Sequence, residues 1–408
     1  MSNSPGISRR GAMKWGLFSA GLSLCPKAFA SPAQVGGRED NELYEGKKLP
    51  GGGQLDPRLL VSPYVDDTDL LDVADRMSPF NPDSWHTEWK RAAEKNERLA
   101  EEFEKDGLSI TANGFYLRAA RFYQNAAIYL PESDARMLPT FHKTLDMYKR
   151  AWQLVRPAFE LVEIPYEGIK LPGYLSKPRG NPDQRFPAVY AFGGADSTPV
   201  GSGGAAWTAR GMIYLFVDGP GQGQPLRLHN VPAPPDSERV GKAVIDYMVS
   251  RPDIDPNWIG ITGGSMGGYT APRIASGDKR VKAAAFWAGA YSLLEDIFEY
   301  FPPIQDRLRW LIGAKDLTDA RKKIAEFTLE GRAGQIECPM LIGYSKDDRI
   351  MDPQGAFRLY QAATNSKREM LEGIGHDSGR TRPVMRTKAP REILLADWMS
   401  KHLKSQTS

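Results

Sequence analysis

The sequence predicts an α/β fold, a mostly parallel central sheet with helices on both faces, preceded by a helical region. Three observations predict it. From about residue 160 onward, short β-rich runs alternate with helical stretches, the pattern of a parallel sheet covered on both sides. Ahead of them, residues 66–159 carry apolar side chains at helical spacing and little strand signal. Finally, GITGGSMGGY (Gly260–Tyr269) sets one serine among glycines where a β-rich run ends and a helical run begins.

Composition bounds the problem. The chain has 408 residues, 41% hydrophobic and 25% charged, enough for one large domain or two smaller ones. The formal net charge is +3, with 53 basic and 50 acidic residues. Four of the basic residues (Arg9, Arg10, Lys14, Lys27) lie in the first thirty positions, which hold no acid; the remaining 49 face 50 acidic ones. The body of the chain therefore carries no electrostatic footprint for nucleic acid or anionic lipid.

The N-terminus reads as an address. Ser8-Arg9-Arg10-Gly11-Ala12-Met13-Lys14 resembles the twin-arginine export motif, an apolar stretch runs from Trp15 to Cys25, and Ala28-Phe29-Ala30 is an A-x-A cleavage site. The apolar stretch falls short of the ~20 residues that a transmembrane helix needs. Residues 1–30 are thus expected to be a twin-arginine signal peptide. The implied home is periplasmic or secreted, with the twin-arginine translocation machinery as a partner during export and no stable membrane insertion. Cys25, between Leu24 and Pro26, makes a poor lipobox. Cleavage leaves Cys338 alone, so no internal disulfide forms. In IECPMLIGY, at the start of a strand-like run, Cys338 reads as a structural thiol, with no metal site around it.

Residues 31–65 are rich in Gly, Pro and charge and read as a linker. In 66–159, Trp89, Ala92, Ala93, Leu99 and Phe103 recur near helical spacing. So do Ala112, Phe115, Ala119, Phe122 and Ala126, and then Phe141, Leu145, Tyr148, Trp152 and Val155. Three or four helices are expected, with no repeat period. Trp85, Trp89, Phe115, Tyr116, Phe122, Tyr123 and Tyr129 could line a pocket, but helical spacing makes core the better assignment. Residues 160–408 open with two strands around a turn at Tyr166-Glu167-Gly168. Further strands are expected at Pro187–Phe192, Met212–Val217, Trp258–Thr262, Val281–Trp287 and Met340–Tyr344, and a last one at Lys367–Leu371. Helices are expected at Glu238–Ser250, Gly268–Ser276, Leu293–Phe301, Ala320–Glu330, Pro353–Ala363 and Pro390–Ser400. Ligands of such sheets bind at the carboxyl ends of the strands.

Ser265 stands at one of those ends. Gly263-Gly264-Ser265-Met266-Gly267 is G-x-S-x-G in a strand–turn–helix setting, a nucleophile elbow. The turn is tight, and glycines on both sides relieve the collisions it forces. The string alone is a weak signal; its setting makes it specific. A serine hydroxyl needs a base to take its proton. The chain has five histidines. His86 and His142 fall in the helical region, His229 in a Pro-rich loop and His402 near the tail. His376 lies in Glu372-Gly373-Ile374-Gly375-His376-Asp377, a glycine-bounded loop after the last strand, and is the preferred base. The orienting carboxylate should follow a strand between serine and histidine. Gly343-Tyr344-Ser345-Lys346-Asp347-Asp348-Arg349-Ile350 offers two, and register favours Asp348 over Asp347, leaving Asp347 solvated or paired with Arg349. The order Ser265, Asp348, His376 is that of the α/β-hydrolases. An oxyanion hole needs two N–H donors. Met266 supplies one, and the strand end at Phe192-Gly193-Gly194-Ala195 supplies the other, from Gly194 with Ala195 as fallback.

Asp218-Gly219-Pro220-Gly221-Gln222-Gly223, the elbow, and the helical segment ahead of the sheet together resemble the α/β-hydrolases typified by 2,6-dihydroxypseudooxynicotine hydrolase. The fermentation–respiration switch protein group and the fungal heptaketide hydrolases are similar. The resemblance runs from about Met77 to about Leu403 and includes Ile164–Gly168 and Leu171–Leu175. It implies that the N-terminal helices cap the site. It also implies hydrolysis of an acyl bond, in esters or, for several members, in a carbon–carbon bond next to a ketone. Ser265, Asp348 and His376 match the family's triad positions. Two features depart from the pattern: the export leader, and the basic, polar run Asp377–Arg382.

The preferred function is a cofactor-free serine hydrolase acting on an ester of a bulky or aromatic small molecule. The alternative is carbon–carbon hydrolysis of a diketone or acyl-phenol, whose carbanion leaving group needs an extra acid. Glu295 and Asp296 are candidates, although a solvated helix face is the plainer reading of both. A peptidase fits less well, because helices occupy the place of the oligopeptidases' β-propeller. A non-catalytic binding protein on a hydrolase scaffold remains the different-class alternative. A homodimer is left open.

Overall fold

The computed structural model describes residues 67–78, 81–154, 159–181, 183–195, 204–376, 380–381 and 391–403. The expected signal peptide and linker lie outside the described residues, as do 377–379 and 382 of the basic run after His376.

Four helices come first: α1 (Asp67–Arg76), α2 (Pro82–Lys105), α3 (Ser109–Ala127) and α4 (Met137–Leu154). Asn81 caps α2, its side chain accepting from the N–H of Asp83 and Ser84, and Pro82 follows at the first helical position. Alanines at 92, 93, 112, 119 and 120 are buried between α2 and α3 and let the helices approach closely. Trp85, Trp89, Tyr116, Phe122 and Tyr123 fill the same core. Some of the buried aromatics send their polar atoms to partners: Trp85 Nε1 donates to Asn125 O at 2.7 Å and Tyr116 OH to Glu104 at 2.6 Å. These side chains are core, as helical spacing predicts.

A hairpin follows, β1 (Phe159–Tyr166) and β2 (Ile169–Ser176). Glu167 and Gly168 at its tip both have positive φ, the geometry of a two-residue turn that matches strand twist. The chain then alternates through β3 (Phe186–Phe192), α5 (Ala205–Thr208), β4 (Ile213–Val217), α6 (Gly223–His229), α7 (Glu238–Ser250), β5 (Ile254–Gly264), α8 (Gly267–Gly277) and β6 (Val281–Trp287). After α9 (Gln305–Leu311) and α10 (Leu317–Ile324) come β7 (Met340–Tyr344), α11 (Pro353–Ala362), β8 (Arg368–Ile374), β9 (Arg380–Thr381) and α12 (Arg391–His402). The sheet order is β1-β2-β4-β3-β5-β6-β7-β8-β9. From β4 to β8 all pairings are parallel; the β1–β2 hairpin and β9 are antiparallel additions at the edges.

Period-two alternation splits the core in two. Tyr190, Phe192, Leu215, Val217, Ala284 and Phe286 face the layer of α7 and α8. Their neighbours Val189, Ala191, Tyr214, Phe216, Ala283 and Ala285 face α12 and join the cluster that contains the N-terminal helices. Tyr174 of β2 sits against Tyr148 and Trp152 of α4, with ring centroids 6.0 and 4.8 Å away. Arg227 of α6 lies over Phe141 of α4 and Trp310 of α9. The helical region is thus packed on the sheet through aromatic and guanidinium contacts.

Several expectations are corrected. Strand β5 starts at Ile254, earlier than the expected Trp258, because Pro256 and Asn257 hide its alternation. The stretch expected as a helix at Leu293–Phe301 is a π-helix over Leu294–Glu299. The helix expected at Ala320–Glu330 is α10, which starts at Leu317 because Asp316 caps it by accepting from Asp319 N–H. It ends at Ile324, and Thr328 instead makes a bridge to Ser292. His229, expected in a loop, closes α6. Cys338 is a free thiol just before β7, pushed up to about 12 by burial.

Candidate active site

The parallel strands deliver their carboxyl ends to one edge, and the site is built there. Strand β5 ends in the elbow. Ser265 has φ 56°, a left-handed conformation that a non-glycine residue holds only when its surroundings impose it. The surroundings do so through close backbone approach. A Cβ on Gly263 would lie 2.6 Å from Gly267 O, and one on Gly268 would lie 2.3 Å from Ala288 O. On Gly267 it would meet Gly193 O at 2.9 Å. Gly264 differs, because the nearest atom to its Cβ position, Arg391 Nη1, is 3.5 Å away. The glycines flanking the elbow at 263, 267 and 268 are required by space; Gly264 is not.

The three residues picked from local patterns meet here. His376 Nε2 is 2.9 Å from Ser265 Oγ. His376 Nδ1 is 3.0 and 2.9 Å from the two carboxylate oxygens of Asp348. Asp348 is almost wholly buried, and its Oδ1 also accepts from the backbone N–H of Ile350 and Met351, both at 2.9 Å. A buried carboxylate with three donors around it is held in one orientation. The order of contacts, hydroxyl to imidazole to carboxylate, can move a proton off Ser265 and stabilise the imidazolium that results.

The loop after β3 closes the other side. The Cα of Gly194 abuts the serine so closely that a Cβ there would lie 2.8 Å from Ser265 Cβ. Met266, the residue after Ser265, opens α8 as its N-cap and is buried. Gln222, from the loop after β4, reaches across and donates through Nε2 to Gly193 O at 2.8 Å and Gly194 O at 3.0 Å.

Asp347 is exposed, as expected of a solvated carboxylate, and it also holds the backbone of the histidine loop. Its Oδ1 accepts from Gly375 N–H at 2.9 Å, directly ahead of His376. On the far side, Trp287 Nε1 donates to His376 O at 2.8 Å. The indole fits because β7 and β8 offer no side chain in its way: a Cβ on Gly373 would lie 1.9 Å from Trp287, and one on Gly343 2.3 Å. Gln222 and Trp287 are not marked by the sequence, and Asp347 is marked only as a candidate carboxylate, not as a support of the histidine loop. The only traces are glycines in β7 and β8 facing a bulky β6 end, and a glutamine inside the run Asp218–Gly223.

Glu295 lies on the expected solvated face, but the same reading of Asp296 is corrected. Asp296 is fully buried, and its Oδ2 accepts from Tyr291 N–H at 2.7 Å and Ser292 N–H at 2.9 Å. Arg358 bonds its other oxygen and pairs with Glu295 at 2.9 Å. Burial holds Asp296 up at about 6. These bonds fix the loop after β6. Asp218, at the end of β4, is another buried carboxyl, pushed up to about 7 by loss of water, with Gln224 N–H and Arg227 opposing. The other histidines serve structure or surface: His86 Nδ1 lies 3.1 Å from Ala126 O and His402 Nδ1 2.9 Å from Trp398 O. Among the described residues no cluster of His, Cys, Asp and Glu is arranged to hold a metal ion, and no helix is long and apolar enough to cross a membrane.

With this geometry in hand, the likenesses to known proteins can be placed. Residues 237–406 match the prolyl oligopeptidase family. The solved structure of 2,6-dihydroxy-pseudo-oxynicotine hydrolase superposes with a TM-score of 0.72 at 25% identity, covering 85% of this chain and 95% of its own. "Hydrolase LUC6" of Fusarium sp is 30% identical over 228 residues, 45% of this chain and 54% of that protein. 20-hydroxy-prefusarin hydrolase FUS2 of Gibberella moniliformis is 29% identical over 258 residues, 52% of this chain and 61% of that protein. The chain thus spans a little over half the length of these two fungal relatives.

Proposed function

We propose that this chain, a hydrolase of the α/β-hydrolase fold, is a cofactor-free serine hydrolase that cleaves a carboxylic ester of a bulky or aromatic small molecule. In this reading Ser265 attacks the carbonyl carbon while His376 accepts its proton. Asp348 holds the imidazole and stabilises its charged form. Backbone N–H groups of Met266 and of Gly194 stabilise the tetrahedral oxyanion, each contributing about 3–4 kcal/mol. His376 returns the proton to the leaving alcohol, and water, activated by the same imidazole, releases the acid.

One observation carries the reading: Ser265, held at φ 56°, lies 2.9 Å from an imidazole that a buried carboxylate orients. Two relatives are named for hydrolysing 2,6-dihydroxy-pseudo-oxynicotine and 20-hydroxy-prefusarin, which supports a substrate other than a peptide. The ester reading is preferred to the carbon–carbon one because Glu295 and Asp296 are bound to Arg358 and to backbone N–H groups. An ester's leaving group needs no acid beyond His376.

A fluorophosphonate probe tests this. The expected result is a single adduct by intact mass, absent from Ser265→Ala, with turnover of aryl esters faster than of acyl ketones. A folded protein that takes up no probe would sink the reading. The leader at Ser8–Lys14 further supports export by the twin-arginine route. Replacing Arg9 and Arg10 by Lys should retain the protein in the cytoplasm; an unchanged distribution on fractionation would count against export.

A further inference from the structure

We infer that Gln222 is the positioning residue for the oxyanion hole, and that one amide group sets two peptide planes at once. The inference rests on the serine hydrolase reading above and deepens it.

The argument is geometric. In a planar trans peptide the C=O and the following N–H point in opposite directions. Pinning Gly193 O therefore aims the N–H of Gly194, and pinning Gly194 O aims the N–H of Ala195. Gln222 Nε2 accepts neither but donates to both oxygens, at 2.8 and 3.0 Å. Both N–H groups must then face away from Gln222. What lies against Gly194 is Ser265, close enough that a Cβ on the glycine would stand 3.2 Å from the serine Oγ. The Gly194 N–H, which acts with that of Met266, is thus turned to the side where the oxyanion forms, and the Ala195 N–H turns away from Gln222 with it. A glycine-rich loop cannot hold this orientation unaided, because its backbone moves freely between conformations.

Gln222 is itself fixed. It is buried, and it precedes α6 as its N-cap residue with extended φ and ψ. Its backbone N–H donates to Gly219 O at 3.0 Å. The loop from β4 to α6 therefore carries the amide at a set distance from the β3 loop. A preorganised donor costs no reorganisation when charge develops, which is how an oxyanion hole lowers a barrier. Gln222 touches neither substrate nor reacting atoms; it acts through the loop it holds.

The test compares wild type, Gln222→Leu, Gln222→Glu and Ser265→Ala with an aryl acetate and a fluorophosphonate. Leu removes the donor. A cavity of about 40 Å³ beside Gln222 and Met266 gives its branched end room. Glu keeps the shape and sets a carboxylate oxygen against two carbonyls, and it serves if Leu does not fold. The expected result is a loss in kcat of roughly 10- to 100-fold, below the ~10²–10³ that follows removal of a donor outright. KM should stay within about twofold, the signature of an interaction made only in the transition state. The melting midpoint should remain near that of wild type, and fluorophosphonate labelling should slow in parallel with kcat. A folded Gln222 variant with wild-type kcat overturns the inference. So does a loss of kcat that tracks a fall in melting midpoint. If wild type itself neither turns over nor labels, the serine hydrolase reading fails instead, and Ser265→Ala separates the two cases.

Discussion

The indole N–H of Trp287 donates to the carbonyl oxygen of His376 at 2.8 Å, across 89 residues of sequence. The ring is fully buried, with Gly343 and Gly373 close against it. Trp287→Phe keeps an aromatic ring there and deletes the donor. A net hydrogen bond is worth about 0.5–1.5 kcal/mol, so kcat for an aryl ester should fall by about two- to tenfold. Gly373→Ala should act through the ring, because a Cβ 1.9 Å from the indole forces it to move. Overpacking of this kind costs about 1–3 kcal/mol, readable as a lowered urea midpoint. An unchanged midpoint would show that the slot yields freely.

Asp347 and Asp348 are adjacent, yet they should respond differently to the same substitution. Asp347→Asn keeps an oxygen acceptor for Gly375 N–H and should retain most of the activity, whereas Asp347→Ala loses it and should slow turnover about tenfold. Asp348→Asn removes the charge that holds the imidazole and fixes its tautomer. A loss of about 10⁴ in kcat is expected there, with the fold intact by circular dichroism. Equal losses at the two positions would contradict the separate roles drawn from the geometry.

The elbow glycines can be ranked by space. Gly268→Ala drives a methyl to 2.3 Å from a backbone oxygen, and Gly263→Ala to 2.6 Å, and neither oxygen can swing away. Gly264→Ala reaches only ordinary contact at 3.5 Å from a side chain. The first two should fail to accumulate as soluble protein or melt well below wild type. Gly264→Ala should melt within a few degrees of it. Thermal melts on the three variants give the order directly.

Asp218 makes stability depend on pH. Its carboxyl is wholly buried and pushed from 3.8 to about 7. The folded state therefore binds its proton more tightly than the unfolded chain, and stability falls as pH rises from about 4 to about 7. The same burden is carried at every higher pH. Facing Asp218 are Gln224 N–H, the Tyr174 hydroxyl and Arg227. Asp218→Asn keeps an oxygen for Gln224 N–H and carries no charge. It should melt near wild type at pH 4 and clearly above it at pH 8, and a gain of equal size at both would refute the titration.

Much of the fold is legible because its signals are local. β6 and β7 run over the expected residues, and α7 matches Glu238–Ser250, since alternation and helical period are carried within each segment. The end of β5 was harder to miss than its start: glycines mark the elbow, while Pro256 interrupts the pattern upstream. Asp296 looked like part of a polar helix face. It is buried because a π-helical turn rotates it towards the backbone of Tyr291 and Ser292, a distortion that composition does not announce.

By itself the sequence determined the class of sheet, the helical region ahead of it, and Ser265, Asp348 and His376 as the residues to watch. Each rests on a short-range constraint, whether a period, a glycine turn or a chain order. Only the tertiary structure decided how those three are held. Gln222 on Gly193 and Gly194, Asp347 on Gly375, and Trp287 on His376 are side-chain bonds to backbone 28 to 89 residues away. Any residue but proline presents the same backbone N–H and C=O, so the partner's identity leaves no mark in the sequence. Strand register and loop path alone bring donor and acceptor together.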